Sequence, residues 1–177
     1  MGDELTRAGD AAFAVYVHAI VAHYLLNHGT EQQKQHYLPR LASGEMVGAI
    51  AMTEPAGGSD LQAITTRAKR DGDVWILDGA KTFISNGHLA DLMIVVARTS
   101  DEPGAKGISL LLVEPSDSAG YRVGRFLEKI GQKGQDTCEL FFDGVRVPAD
   151  RVLGGVPGHG FYQLMQDLPY ERTLIAV

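Results

Sequence analysis

The centre of the chain consists of short apolar runs separated by glycine turns. Glycine accounts for 21 of the 177 residues, well above the usual ~7%. Asp-Gly pairs stand at residues 71–72 and 78–79 between β-like runs, and such pairs are the strongest short-range signal of a hairpin. We therefore predict about seven or eight strands between residues 46 and 150, the size of a small β-barrel or sandwich.

Helical patterns flank this β region on both sides. Residues 11–26 are apolar almost all round, and we predict a buried helix because the run is too short for a bilayer and follows acidic residues. Thr30 and Gln33 form a capping box that starts a second helix, which ends near Leu41. Helix resumes at Phe161, with Pro169 expected to start a new segment. The predicted fold class is mainly β with flanking helices.

The terminal helices lead us to expect a piece of a larger protein. A helix that is apolar all round needs neighbours on every side, and the helical pattern of residues 164–177 stops without a capping glycine. We divide the chain into three parts. Residues 1–45 are the end of an α-helical domain, residues 46–153 are a complete β domain, and residues 154–177 open a second, truncated helical domain.

Charge and cysteine content exclude several classes of protein. The formal net charge is −6 and there is no run of lysine or arginine, which argues against binding along nucleic acid. Cys138 is the single cysteine, so no internal disulfide forms, as is typical of an intracellular protein. His18, His23 and His28 are five residues apart, which is not the spacing of metal ligands on one helix face. We predict no metal site.

Two strand ends combine glycine with hydroxyl groups. In residues 53–60, the glycines expose backbone N–H groups and let them approach a ligand closely. The alternative is an ordinary turn in which Ser59 or Asp60 caps a short helix. Residues 83–87 place an aromatic side chain beside a hydroxyl before a turn, and by themselves could equally form a hairpin edge. These two segments are the candidate ligand loops.

Glu171 stands in the middle of an apolar helix stripe. Leu164, Leu168, Leu174 and Ile175 lie at helical spacing around it. A carboxylate in that position either pairs with a neighbour or loses solvation and has its pKa raised, as a general base needs. A paired or exposed glutamate near a helix start is the alternative interpretation.

Five ordered segments resemble the acyl-CoA dehydrogenase family. They are AMTEP at residues 51–55, GSD at 58–60, DGAKTFISNG at 78–87, LFFDGVRVP at 140–148 and LPYER at 168–172. The resemblance extends from about residue 27 onward and is closest to the long-chain branch. It implies an α-helical N-terminal domain, a middle β domain and a C-terminal helical domain, and it implies FAD as cofactor.

The resemblance also implies roles for individual residues. Glu171 corresponds to the catalytic base of the long-chain and isovaleryl branches. Ser85 falls where the family places a hydrogen bond to flavin N5. The implied cofactor-binding residues are Ile50, Ala51, Met52, Thr53, Gly58, Ser59, Phe83, Ile84 and Ser85. The implied substrate-binding residues are Ser59, Tyr162, Pro169, Tyr170 and Arg172.

The function expected from this resemblance is FAD-dependent dehydrogenation of an acyl-CoA thioester to the trans-2-enoyl-CoA. Expected partners are the acyl-CoA, an electron-transfer flavoprotein as acceptor and further copies of the chain in a homo-oligomer; nucleic acid and a membrane span are not expected. The expected compartment is the cytoplasm, or the mitochondrial matrix if a transit peptide has been lost. The alternative function is a non-catalytic middle-domain fragment, or an assembly module that binds through its apolar first helix.

Overall fold

The computed structural model describes residue 7 and residues 15–176, and its centre is one seven-stranded sheet. The prediction of a mainly β fold with flanking helices is confirmed, and the sheet curls as a half-barrel. The strands are β1 (Gly48–Ala51), β2 (Arg67–Asp71), β3 (Val74–Ser85), β4 (Leu92–Arg98), β5 (Ile108–Val113), β6 (Tyr121–Phe126) and β7 (Thr137–Pro148).

The sheet order is β1-β4-β2-β3-β7-β6, with β5 paired to β4. β1 and β4 run parallel, with Gly48 opposite Leu92, whereas β5 lies antiparallel to β4. The two longest strands, β3 and β7, pair antiparallel over most of their length. β4 and β2 separate β1 from β3 in this order, but the curled sheet brings β1 and β3 into contact.

β4 is buried on both faces. Met93, Val95 and Ala97 belong to the core inside the curled sheet, while Leu92, Ile94 and Val96 belong to a second core under the helices. Successive side chains of a strand point to opposite faces, so this one strand joins the two cores.

Within residues 15–176, three α-helices cover the second core. They are α1 (Val15–His28), α2 (Glu31–Ser43) and α3 (Gly160–Ala176). The predicted capping box of α2 is confirmed, with Thr30 and Gln33 bonding reciprocally. α1 packs on α2, β1 and α3 and buries Tyr24 and Leu25 completely. The start of the predicted first helix, residues 11–14, lies outside the described residues.

No helix in the described range 15–176 is long and apolar enough to cross a membrane.

Two local predictions are wrong. Asp71-Gly72 forms the expected hairpin turn between β2 and β3, but Asp78-Gly79 lies inside β3, where the pairing with β7 shifts register. A Cβ on Gly79 would come within 2.5 Å of the Thr66 hydroxyl oxygen, so this glycine permits a close approach instead of a turn. Pro169 does not start a new helix, because α3 is continuous through it.

Candidate active site

A cleft of about 550 Å³ opens between the loop after β1 and helix α3. Met52, Thr53, Gly58 and Ser59 line it on the loop side. Arg172 stands at its rim on the helix side. Mostly apolar walls with a few hydroxyl and charged groups are typical of a site for an organic ligand. The residues that α3 contributes are Phe161, Met165, Leu168, Pro169 and Arg172.

A buried ion pair fixes the loop side of the cleft to β3. Lys81 Nζ donates to Glu54 Oε1 at 2.9 Å and to the Met52 carbonyl at 3.0 Å. Glu54 also accepts hydrogen bonds from the backbone N–H groups of Thr65 and Thr66 and from the Thr65 hydroxyl. Burial by itself would raise the pKa of Glu54, but Lys81 and these donors outweigh it and lower the pKa to about 2. The loop is thereby held by the ion pair to β3 and by hydrogen bonds from Thr65 and Thr66, just before β2.

β3 brings the second candidate loop alongside the first. The Thr82 N–H donates to the Thr53 carbonyl at 2.9 Å. Phe83 follows with a φ of 59° and a ring that is 67% exposed, an uncommon and strained conformation for a non-glycine residue. The Ser85 hydroxyl lies 3.5 Å from a threonine hydroxyl of β7. Ile84 points into the core of the sheet.

Glu171 lies on the buried face of α3, beside the cleft and not among its lining residues. Its side chain is buried, and one carboxylate oxygen accepts a hydrogen bond from the Tyr24 hydroxyl at 2.5 Å. At 3.6 residues per turn, Glu171 and the cleft residue Arg172 point about 100° apart. Burial raises the pKa of Glu171, and the Tyr24 hydrogen bond opposes that rise. The buried position excludes the exposed alternative, and the hydrogen-bond partner is Tyr24 instead of Arg172.

Asp167 lies one turn before Glu171 on the same face of α3 and is also buried. His28 Nε2 is 2.9 Å from one of its oxygens, and Asn27 Nδ2 donates to the other at 3.1 Å. Tyr24 and His28 are one turn apart on α1, so Tyr24–Glu171 and His28–Asp167 form two polar contacts between antiparallel helices. We call these two contacts the α1–α3 ladder. It places two buried carboxylates one helical turn apart in the contact between the two helices.

Several residues that the resemblance implicates lie outside the cleft. Tyr162 lines a separate groove of about 370 Å³ on another side of α3. Tyr170 stacks on the His23 ring, with ring centroids 3.8 Å apart. Ala51 is buried in the sheet core, and Ile50 packs against the core under the helices. The structure thus gathers Met52, Thr53, Gly58, Ser59, Pro169 and Arg172 into one cleft.

The two loops fit the flat, polar-edged ring system of a flavin. Phe83 offers an exposed aromatic face, and Thr53 and Ser85 offer hydroxyl groups at the ends of their strands. A Cβ on Gly58 would come within 3.1 Å of Thr53 Cγ2, so glycine lets the loop backbone fold closely over the strand end. Apolar contact on the ring face with a few placed polar groups is what cofactor sites require.

Tyr24, Asp167 and the buried pairing of Lys81 were not among the residues predicted from the sequence to form the site. Asp167 stands four residues before Glu171, and this i, i+4 spacing signals a shared helix face. Lys81 occupies a buried position of β3, where a lysine needs a counter-charge. Tyr24 gave no local signal, because its partner is 147 residues away in the chain.

Comparisons with known proteins agree with this fold. The family profile described as "Acyl-CoA dehydrogenase, middle domain" matches residues 49–145, and the N-terminal domain profile of the same family matches residues 1–45.

Among curated proteins, the mitochondrial long-chain specific acyl-CoA dehydrogenase of Sus scrofa is 55% identical, covering 89% of this chain and 36% of its own length. Among solved structures, an acyl-CoA dehydrogenase from Geobacillus kaustophilus aligns with a TM-score of 0.84 and 51% identity, covering 88% of this chain and 41% of that one. A glutaryl-coenzyme A dehydrogenase in complex with glutaryl-CoA aligns with a TM-score of 0.86 and 37% identity, covering 91% and 40%. This chain belongs to the acyl-CoA dehydrogenase family.

Proposed function

We propose that this chain provides the flavin and thioester site of an FAD-dependent dehydrogenase that converts an acyl-CoA to the trans-2-enoyl-CoA. The observation that carries the proposal is Glu171, a buried carboxylate whose helix neighbours line a mostly apolar cleft. The chain spans about two-fifths of the length of the relatives it matches. The activity is therefore proposed for the complete natural protein, with residues 46–153 as its β domain.

The side chains around the cleft support this chemistry. Protons on the α carbon of a thioester are weakly acidic, so their removal needs a positioned base and a polarised carbonyl. Glu171 takes the α proton, and the electron pair of that C–H bond forms the new double bond as a hydride leaves the β carbon. FAD, when bound, supplies the acceptor for that hydride. Ser59 and Arg172, which line the cleft, contact the substrate, and the apolar face of α3 keeps water out.

The proposed role requires the Glu171 carboxylate to turn from Tyr24 towards the cleft. The two directions differ by about 100° around the helix, and a glutamate side chain can rotate about several torsions with staggered minima. A base that is desolvated before the substrate arrives has a pKa closer to the operating pH, which favours proton transfer. The burial of Glu171 agrees with this requirement.

Replacement of Glu171 tests the proposal. Glu171→Gln keeps the shape of the side chain and removes the base, so turnover of acyl-CoA in the complete natural protein should fall by about 10²- to 10⁴-fold. The flavin absorbance should stay unchanged, because Glu171 is not part of either candidate loop. Glu45→Gln, at an exposed pair with Arg40, is the matched control and should retain activity. Retained turnover in Glu171→Gln refutes the proposal.

A second candidate function is a non-catalytic binding module of the same family. Phe83 favours it, because its ring is 67% exposed and no part of the described chain covers that side of the candidate flavin site. The absorbance spectrum of the purified 177-residue chain separates the two candidates. A bound-flavin spectrum favours the enzyme, and a flavin-free chain that still binds acyl-CoA favours the module.

We further propose an electron-transfer flavoprotein as acceptor, a homo-oligomer as the assembly, and the cytoplasm or the mitochondrial matrix as the compartment. Family membership supports the first two, and the mitochondrial name of the Sus scrofa relative supports the matrix. Stopped-flow reoxidation with the flavoprotein, compared with oxygen, tests the acceptor. Sedimentation tests the assembly, and imaging of the tagged natural protein tests the compartment.

A further inference from the structure

The α1–α3 ladder contains a tyrosine whose hydroxyl has one hydrogen-bond partner among the described residues. Tyr24 is completely buried, and its hydroxyl donates to Glu171 Oε1 at 2.5 Å. Burial, followed by the contact with Glu171, raises the pKa of Tyr24 well above its usual value. The phenol therefore stays protonated over the working range of an enzyme and acts as a permanent donor to the carboxylate.

The direction of this hydrogen bond determines which way the Glu171 carboxylate faces. The carboxylate of Glu171 faces α1, while the residues that α3 gives to the cleft lie on the adjacent face. A hydrogen bond to an ionised carboxylate stabilises that form, and bonds to charged groups are stronger than neutral ones. The bond to Tyr24 therefore opposes the rise in the pKa of Glu171 that burial causes, and it keeps the carboxylate turned away from the cleft.

The groups packed around Glu171 divide into two sets. Burial and the carboxylate of Asp167 disfavour its ionised form, whereas Tyr24, Arg172 and His23 favour it. Of these three, Tyr24 makes the direct hydrogen bond in the described part of the chain. Tyr24→Phe removes this hydroxyl, and with it a group that lowers the pKa of Glu171, while the aromatic ring and its packing are kept.

We propose that Tyr24 is a positioning residue for Glu171: its hydroxyl holds the carboxylate on the buried face of α3, facing α1, until a ligand in the cleft draws it away. The inference rests on the proposed function only in naming Glu171 as the base. The hydrogen bond and its effect on the carboxylate are testable without turnover.

The experiment compares two Tyr→Phe variants of the full 177-residue chain. Tyr24→Phe removes the hydroxyl at Glu171. Tyr37→Phe is the matched control, because Tyr37 is also buried and also donates to a glutamate, Glu114, at 2.8 Å. Glutamate carboxyl carbons labelled with ¹³C are titrated by NMR in each variant, and Glu171→Gln identifies the Glu171 signal.

Tyr24→Phe should raise the pKa of Glu171 by about one unit, and Tyr37→Phe should leave it unchanged. In the complete natural protein, the acidic limb of the pH profile of kcat/KM should move up by the same amount, and the alkaline plateau should be retained or increased because the carboxylate is freer to turn. The inference is overturned if the pKa of Glu171 is unchanged in Tyr24→Phe or shifts equally in Tyr37→Phe. It is also overturned if the alkaline plateau of kcat/KM in Tyr24→Phe falls well below that in Tyr37→Phe. Failure of the proposed function is separate, since it appears as retained turnover in Glu171→Gln.

Discussion

Lys81 Nζ and Glu54 Oε1 lie 2.9 Å apart at a place where no more than 3% of either side chain is exposed. Two full charges withdrawn from water in this way are tolerable only together, because each compensates the desolvation of the other. The pair joins the first candidate loop, which contains Glu54, to β3, where Lys81 lies two residues before the second candidate loop. Its integrity decides whether the loops keep their relative position.

Lys81→Met should lower the free energy of unfolding by about 3 to 5 kcal/mol, because it leaves the Glu54 carboxylate buried without its counter-charge. Urea unfolding of the chain measures this loss. Arg67→Met removes one partner of an exposed pair with Asp101 and should cost less than about 1 kcal/mol. Equal losses in the two variants would contradict the prediction.

The same pair predicts an acid-sensitive stability. The pKa of Glu54 is about 2 in the folded chain against an ordinary value of 4.5. Its contribution is therefore complete above pH 4.5 and is lost as the pH falls towards 2, a loss on the order of 3 kcal/mol. Glu54→Gln should be less stable at neutral pH but should lose less over this interval. Parallel pH curves for the two proteins, measured by urea unfolding, would rule out Glu54 as the source.

Gly160 sets how closely α3 approaches the sheet. A Cβ there would lie 2.7 Å from Ser109 Cα and 2.9 Å from the Leu110 backbone nitrogen, atoms that yield only if a strand or the helix moves. Gly160→Ala should therefore cost about 1 to 3 kcal/mol and weaken acyl-CoA binding, since α3 forms one wall of the cleft. Thermal unfolding and calorimetry measure the two effects. Gly131→Ala, where nothing lies within 4 Å, is the control and should change neither.

Cys138 should be unreactive in the native chain. It is completely buried, and burial, with Asp136 and Glu139 nearby, raises the pKa of its thiol to about 11, so the reactive thiolate is scarce. A colourimetric disulfide reagent at neutral pH should label almost no thiol in native protein and one thiol per chain in guanidinium chloride. Rapid native labelling would show that the sheet opens locally at β7.

Local sequence signals predicted the elements whose stability is local. The capping box at Thr30 and the turn at Asp71-Gly72 each involve residues within three positions of one another, so the pattern contains the whole interaction. Asp78-Gly79 carries the same turn signal, yet it lies inside a strand because β7 and Thr66 surround Gly79 in the fold. The tertiary contact overrides the local preference there.

The candidate site could be predicted only in part for the same reason. The apolar spacing around Glu171 indicated a desolvated carboxylate, and the side chain is buried. The pattern did not reveal which way the carboxylate points, because that depends on Tyr24, far away in the sequence. Nor did it reveal the positive φ of Phe83, which lies inside β3 where the pairing with β7 shifts register. Residue roles in binding and catalysis stay predictions that the variants above decide.

The two buried faces of β4 have a consequence for folding. A strand that is apolar on both faces still buries apolar side chains on each face after a shift of one residue, so alternating hydrophobicity does not define its alignment. The polar contacts at its ends supply the definition: Asp91 accepts a hydrogen bond from the Val47 N–H at 2.8 Å, and Arg98 donates to the Gln62 carbonyl at 2.7 Å. Whether a newly made chain reaches the correct pairing instead of a misaligned, aggregation-prone one therefore depends on Asp91, immediately before β4, and on Arg98, its last residue, as well as on the apolar residues between them.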